Sequence, residues 1–375
     1  TEYAMLRSLV GSEMCIRDRP ISLHDALRYV AREALEWTSL NPVLTESSPN
    51  AEHLSDNSPF SAFLVAPATY NLLNKFAWGI ADDLPTALLA SALGRAEHAK
   101  TPILVVPTMH GSMHNQILQE SLRRLHDYGV TVVPPRQENG KNNLPENEFL
   151  VGHLIRSLSA GTLKGHQLMI TGGPTPVPLD RIRRITTKFS GGLSIEISRE
   201  AWFRGAEVKL ILGRASLQPP SYLDTLEISD FHQYRKSLLN TIEEHQAEWG
   251  IFTAAVADYE PEEVYEGKWQ SLDQEKILKL VPTSKVIQEV KERFPQLNQV
   301  PFKYEEGVDH EELMEIARER MESGSHRLHV ANRGNEFLDS GEQVAWILAS
   351  GSNPEKVVGK KEIASALLDH IESLV

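Results

Sequence analysis

The sequence predicts an α/β protein built as two similarly wound domains with mainly parallel sheets. Three observations predict it. Short β-branched runs end in Gly, Pro, Asn or Asp, helical patterns separate them, and 375 residues suffice for two domains with buried cores. The runs are FLVAPAT (63–69), ILVVPT (103–108), VTVVPP (130–135), LMITGGPT (168–175), VKLILG (208–213), FTAAVAD (252–258), LHVAN (328–332) and AWILAS (345–350). Nearly continuous apolar strands of this length belong to parallel sheets covered by helices on both faces.

In chain order, the first 19 residues, TEYAMLRSLVGSEMCIRDR, are set aside. GSEMCIRDR resembles translated sequencing-adaptor read-through, and the stretch has too short an apolar run for a signal peptide. The one cysteine, Cys15, falls within it, so no intramolecular disulfide is expected and a reducing cytoplasm fits. The segment 115–127 reads as a helix with Ile117, Leu118, Leu122 and Leu125 on one face, stopping near Gly129 and feeding VTVVPP. RQENGKNNLPENE (136–148) reads as a long polar loop, FLVGHLIRSLS as an amphipathic helix, and AGTLKGH (160–166) as a hinge. The expected domains are therefore 20–163 and 164–375. A second helix, around Ile195 to Phe203, stops before Gly205 and feeds the next strand.

A formal net charge of −13 without a long Lys/Arg block argues against nucleic acid and anionic membranes as partners. No apolar run reaches the length of a membrane span, so a soluble protein is expected. Any phosphorylated ligand must be small and held locally.

Two stretches of the second half suit such a ligand. Gly172 and Gly173 follow a strand, where glycines let phosphate approach backbone amides; they equally suit a plain turn. SGG (190–192) opens the next helix and could form another anion-binding end. In FTAAVAD, the small side chains of Ala254, Ala255 and Ala257 would let a planar base or acyl chain lie near the backbone. Asp258 could then bind a ribose hydroxyl or a hydrated Mg²⁺ ion, and Lys268 a polyphosphate. A buried strand with an Asp cap and a solvated lysine explains the same spacing.

In the first half, Thr69 and Asn71 stand where a strand gives way to a helix. They suit a flavin or simple N-capping. His53, thirteen residues before Ala66, is by itself an ordinary surface histidine.

The order of motifs narrows these readings. ITGGPTPVPLDRIRRITTKFSG, AAVADYEP with Lys268 ten residues after Asp258, LKLVPTSKVI, FKYEEG and VANRG together resemble the phosphopantothenate–cysteine ligase domain across most of 165–375. The resemblance implies that CTP and 4′-phosphopantothenate form an acyl-cytidylate, from which cysteine's amine displaces CMP. It assigns Asp258 and Lys268 to CTP, with Lys268 on the reacting phosphate, and lines the nucleotide pocket with Lys285 and Phe302. Where that family has I-T-N-x-S-S-G this chain has ITTKFSG, so Thr187 replaces the asparagine that holds the acyl-cytidylate. A hydroxyl lacks the amide's paired donor and acceptor, and a slower ligase is one expectation.

ALEWTSLNPVLTESSPNAEHLSD, LVAPATYNLLNKFAWGIADDL and PTMHGSMHNQ resemble the FMN-dependent cysteine decarboxylase domain that precedes this ligase in many bacteria and archaea. The resemblance implies that His53 is catalytic and that Thr69 and Asn71 bind FMN. PTMHGSMH matches an archaeal-type variant, which places His110 where a substrate-carboxylate contact is expected. The usual bacterial proton-donating cysteine is absent, leaving Lys141 of ENGK, or a histidine, as the expected acid. The family's first strand and phosphate loop are missing here, so weak FMN binding is expected. Mg²⁺ as cofactor and homo-oligomers, trimers of flavin halves and dimers of ligase halves, also follow from the resemblance.

The leading expectation is thus a bifunctional coenzyme A biosynthesis enzyme truncated at its N-terminus by sequence error, its two Rossmann-like domains being, as the resemblance implies, a flavodoxin-like flavin domain followed by a nucleotide-binding ligase domain. The alternative is a ligase whose flavin half serves only as an oligomerisation scaffold. A nicotinamide-dependent oxidoreductase is disfavoured, because neither half has the dinucleotide glycine fingerprint.

Overall fold

The computed structural model describes residues 21, 26–47, 60–99, 101–138, 140–215, 217–270, 275–324, 326–336 and 342–375. The chain forms two compact units, 1–158 and 159–375. The division falls just after the helix Asn147–Leu158, ahead of the expected hinge. Within AGTLKGH, Leu163 is fully buried while residues 160, 162, 164 and 165 are exposed.

In the first unit the strands Phe63–Ala68, Ile103–Pro107 and Thr131–Val132 form a parallel sheet in that order. Every residue of Ile103–Pro107 is buried. Ile103 and Val105 pack with Leu73, Phe76, Leu118 and Leu125, while Leu104 and Val106 pack with Val133 and Leu150. A strand buried on both faces needs no polar alternation, which is why it reads as a continuous apolar run. VTVVPP contributes a shorter strand than predicted. Val133 still donates to Val105 O at 2.9 Å, but the two prolines beyond it have no N–H to continue the ladder.

The helix Gln116–Asp127 is capped by Asn115, whose side chain accepts from Ile117 N and Leu118 N. Leu118 and Leu125 are buried and Leu122 packs beside them, but Ile117, predicted on the same face, is 60% exposed. The buried stripe runs through Leu118, Ser121 and Leu125, and Ile117 sits at its edge in the first turn. The predicted long loop 136–148 contains a hairpin, Arg136–Glu138 with Lys141–Asn143, to which Met109–His110 adds a third strand. Glu138 pairs with Lys141, and Gly140 before Lys141 has φ +71°. Asn-Gly is the turn signal there; the polar flanks hide the strands.

The second unit is built on an eight-stranded sheet. Its order is Asp224–Ile228, Glu207–Gly213, Gln167–Gly172, Trp249–Phe252, Asn298–Glu305, Leu328–Arg333, Val344–Ala349 and Glu355–Val358. The first six are mutually parallel, the seventh runs antiparallel to them, and the eighth pairs antiparallel with the seventh. The chain starts at Gln167–Gly172, builds outward through two strands, then returns to lay Trp249–Phe252 on the other side. The strand order therefore reverses between Gly172 and Phe252, and open α/β sheets bind ligands in the crevice at that reversal. Met169, Ile211, Phe231, Leu238 and Val290 form the core under it.

Candidate active sites

At the reversal, FTAAVAD is not the strand predicted. The strand ends at Phe252, and residues 253–258 leave the sheet as a loop tied to the loop that follows Gly172. Thr253 N and Oγ1 donate to Thr171 O at 3.1 and 2.7 Å, Ala255 N to Gly173 O at 2.9 Å, and Ala257 N to Thr175 Oγ1 at 2.9 Å. These bonds satisfy the main chain where the ladder ends. Ala254 and Ala257 pack on the core with Val256 and stay half-buried, as does Ala255.

Asp258 and Lys285 are brought together across 27 residues, Lys285 Nζ standing 3.3 Å from Asp258 Oδ1. The buried Thr283 makes the join: its Oγ1 donates to Ala257 O at 2.6 Å and its N to Asp258 O at 2.9 Å. The short hairpin Tyr259–Pro261 with Leu280–Pro282 closes the base of an excursion, 262–279, that carries Lys268. Lys268 is exposed and makes no hydrogen bond or ion pair with Asp258 or Lys285 among the described residues.

Gly172 and Gly173 are both buried. Their small size is required by packing: Gly173 has φ +73°, and a Cβ there would lie 2.7 Å from Gly213 O. Gly172 abuts Ser194 in the same way. Both seat the strand end on the neighbouring strand and helix, at the place where the sequence expects a nucleotide. Gly191, φ +78°, opens the helix Gly192–Phe203 without a side-chain cap. Lys360 lies over that end; a Cβ on Gly192 would be 3.2 Å from its Nζ.

The loop before this helix carries Thr187, whose Oγ1 is buried without a hydrogen-bond partner among the described residues. Phe189, two residues on, meets Tyr304 edge-on with ring centroids 5.2 Å apart. Tyr304 follows Phe302, which is half-buried opposite Val330, and donates its hydroxyl to Glu306. Burial, reinforced by the Glu306 carboxylate, pushes the Tyr304 phenol up to about 12.

Asp180 was not singled out from sequence. Its carboxylate is completely buried and accepts main-chain N–H groups from Ile182, Arg183 and Trp269 at 2.7, 2.6 and 3.2 Å. The Arg183 N–H, with the others, holds its carboxyl below the usual carboxylate range. An Asp three residues before Arg in a turn is a visible signal, but its distant partner Trp269 is not.

In the first unit, Thr69 caps the helix Tyr70–Ala77, accepting from Leu72 N at 3.3 Å. Thr69 and Asn71 are exposed at the carboxyl end of Phe63–Ala68, beside the half-buried Tyr70 whose hydroxyl reaches Asn115 Oδ1 at 3.3 Å. His110 and Lys141 are cross-strand partners, both exposed, and His110 Nδ1 lies 3.3 Å from Ser112 Oγ. Gly111 permits this pairing, since a Cβ there would meet Gly140 O at 2.5 Å. His114 contacts Asn142 on the same small sheet. His53 lies outside the described residues.

No group of three or more His, Cys, Asp or Glu that could hold a metal occurs among the described residues, and no helix among them is long and apolar enough to cross a membrane.

Comparison with known proteins covers both units. The family model described as DNA/pantothenate metabolism flavoprotein C-terminal domain matches residues 163–374, and the one described as Flavoprotein matches 14–159. The chain is 32% identical to the coenzyme A biosynthesis bifunctional protein CoaBC of Thermococcus kodakarensis, over 94% of this chain and 87% of that relative. Identity to the protein of the same description from Methanocaldococcus jannaschii is 26%, over 95% and 86%. Among solved structures, the DNA/pantothenate metabolism flavoprotein from Streptococcus pneumoniae shares the fold of the second unit, with TM-score 0.51 and 24% identity; the match covers 56% of this chain and 100% of that one.

Proposed function

The chain belongs to the family of bifunctional coenzyme A biosynthesis proteins, and on that premise we propose how its two sites divide the work. It is a phosphopantothenate–cysteine ligase and a phosphopantothenoylcysteine decarboxylase, and its flavoprotein domain carries a flavin.

In the ligase unit the activating nucleotide is CTP. The carboxylate of 4′-phosphopantothenate attacks the α-phosphorus, pyrophosphate leaves, and an acyl-cytidylate forms. Cysteine's amine then attacks the acyl carbon, CMP leaves with the bonding pair, and the amine proton passes to solvent. The observation that carries this reading is the crevice at the strand-order reversal, where Thr283 staples Asp258 and Lys285 into one exposed ion pair. Ala254, Ala255 and Ala257 give the nucleoside a low floor. Asp258 takes the ribose, Lys285 and Phe302 border the base, and Lys268 neutralises the charge that grows on the attacked phosphate. Gly172 and Gly173 shape the crevice wall. Thr187, with an unpartnered hydroxyl oxygen, faces the acyl-cytidylate. Mg²⁺ arrives with the triphosphate, in keeping with an ion that takes few protein ligands; Asp258 is the exposed carboxylate suited to one of its waters.

In the flavin unit the neutral, exposed side chains of Thr69 and Asn71 at a strand's carboxyl end fit an FMN. Bound FMN supplies a two-electron oxidant for the cysteinyl thiol, which makes the carbon chain an electron sink for CO₂ loss, and afterwards returns the electrons. His110 holds the substrate carboxylate, and Lys141 delivers the proton to the carbon left by CO₂. Their cross-strand pairing supports this division, because it sets a carboxylate contact and an acid side by side. His53 completes the catalytic set. Copies of the chain associate, and the enzyme works in the cytoplasm.

The test is pyrophosphate release by the purified protein with 4′-phosphopantothenate, CTP, cysteine and Mg²⁺, compared with Lys268→Gln. Release in the wild type that needs CTP and falls by about 10²–10³-fold in the variant is the expected result. A folded wild-type protein without release, or an unaffected variant, would overturn the ligase assignments.

A further inference from the structure

The segment that carries Lys268 is held by a buried carboxylate outside the nucleotide crevice. The turn at Asp180–Arg183 needs only the bonds from Ile182 N and Arg183 N to close. Asp180 nevertheless spends its second oxygen on Trp269 N, 89 residues away, at 3.2 Å. Arg183 takes the other main-chain group of the same residue, Nη2 donating to Trp269 O at 3.0 Å, and its Nη1 lies 3.5 Å from Asp180 Oδ2. On the opposite side of Lys268, Arg181 N donates to Gly267 O at 3.1 Å. Two residues earlier, Tyr265 N donates to Leu179 O at 3.2 Å, and Asp180 bridges to Tyr265.

The backbone is thus fixed on both sides of Lys268 while its side chain is exposed. A carboxylate buried at this cost is retained where its geometry matters, since burying an anion is unfavourable unless every oxygen is satisfied. We propose that Asp180 is a positioning residue of the ligase reaction: it acts through Trp269 to set where the Lys268 ammonium meets the reacting phosphate. The proposal rests on the reading of Lys268 given above.

Displacing a catalytic group by about 1 Å costs on the order of a hundredfold in rate. In Asp180→Asn the amide can serve the local turn or Trp269, but not both, because one of its ends is now a donor. Expected is a fall of about a hundredfold in kcat for pyrophosphate release, with KM for CTP nearly unchanged, because Lys268 acts on charge that develops only in the transition state. The Trp269 amide should exchange with solvent faster while that of Ile170, in the central strand, does not change; general loosening would move both. On a Lys268→Gln background, Asp180→Asn should cost nothing further.

Trp269→Pro removes the donated N–H from the accessible side of the clamp and leaves the Asp180 turn intact. It should lower kcat likewise, and wild-type kcat in this variant overturns the proposal even if Asp180→Asn does not fold. Wild-type kcat in the folded variants would overturn the proposal, as would an undiminished further loss on the Lys268→Gln background. If Lys268→Gln alone retains full turnover, the reading of Lys268 falls and takes the proposal with it. That outcome is told apart from a failed clamp because Asp180→Asn would still free the Trp269 amide.

Discussion

Lys285 Nζ stands 3.3 Å from Asp258 Oδ1, yet both side chains are more than seventy per cent exposed. Such a pair contributes about 0–1 kcal/mol to stability. Its value is therefore to be sought in what it binds. Lys285→Ala should leave the melting temperature within about 2 °C of wild type and raise KM for CTP about tenfold, the equivalent of about 1.4 kcal/mol. Initial rates at varied CTP, with a thermal melt, check both halves of the statement.

Gly173 is expected to be intolerant of any side chain. Alanine there must adopt φ +73° and lies against Gly213 O, so Gly173→Ala should lose about 1–3 kcal/mol of stability. Urea unfolding followed by tryptophan fluorescence measures it. Gly351, also at positive φ but with open space around its Cβ position, should lose less.

Thr187→Asn restores the amide usual at this position in the ligase family. Because the threonine Oγ1 is buried and unpartnered, an amide whose hydrogen bond to the acyl-cytidylate strengthens as the acyl carbon is attacked should accelerate the second half-reaction several-fold, about 1 kcal/mol of added hydrogen bonding in the transition state. Single-turnover decay of acyl-cytidylate on adding cysteine reads this directly. An unchanged or slower decay would return the hydroxyl to a purely structural role.

Lys141→Ala should abolish CO₂ release from 4′-phosphopantothenoylcysteine while leaving pyrophosphate release intact, since Lys141 lies in the first unit and all the ligase residues lie in the second. Assaying both reactions on one preparation tests it. Equal loss of both activities would point to a folding defect instead.

His329 is 1% exposed, and neither ring nitrogen has a partner among the described residues. Burial, with lesser repulsion from neighbouring cations, lowers its pKa to about 4. The folded state thus holds fewer protons than the unfolded state between pH 6.5 and about 4, so stability should fall as pH drops through that window and level off below it. The loss is on the order of 3 kcal/mol at most. Comparing urea midpoints at pH 7.5 and pH 5, the His329→Leu variant should show a smaller difference than wild type.

The strands were legible because burial on both faces leaves an uninterrupted apolar run, as in Ile103–Pro107. The helix starts were legible at Thr69 and Asn115, where a short polar side chain precedes the apolar stripe. What escaped was whatever depends on partners far along the chain. Nothing near Asp258 indicates that Thr283 will fasten Lys285 beside it, and nothing near Asp180 indicates Trp269. The motif order named Gly172, Gly173, Asp258 and Lys285 alike, and nothing in it separates the first two, which are buried, from the last two, which face solvent. The edge strand Glu355–Val358 escaped for another reason: only Val357 of its four residues is buried, leaving no periodic pattern to read.

The return of the chain to Trp249–Phe252, after two strands have been laid outward, also orders events during synthesis. A nascent chain that has emerged only as far as Ile228 holds the strands Gln167–Gly172, Glu207–Gly213 and Asp224–Ile228, one wall of the crevice. Thr171 O and Gly173 O then await donors that are still to be translated, and Thr283 follows later still. The crevice therefore gains its second wall only with residues 249–258, and a chain shorter than 283 residues lacks the join that brings Asp258 and Lys285 together.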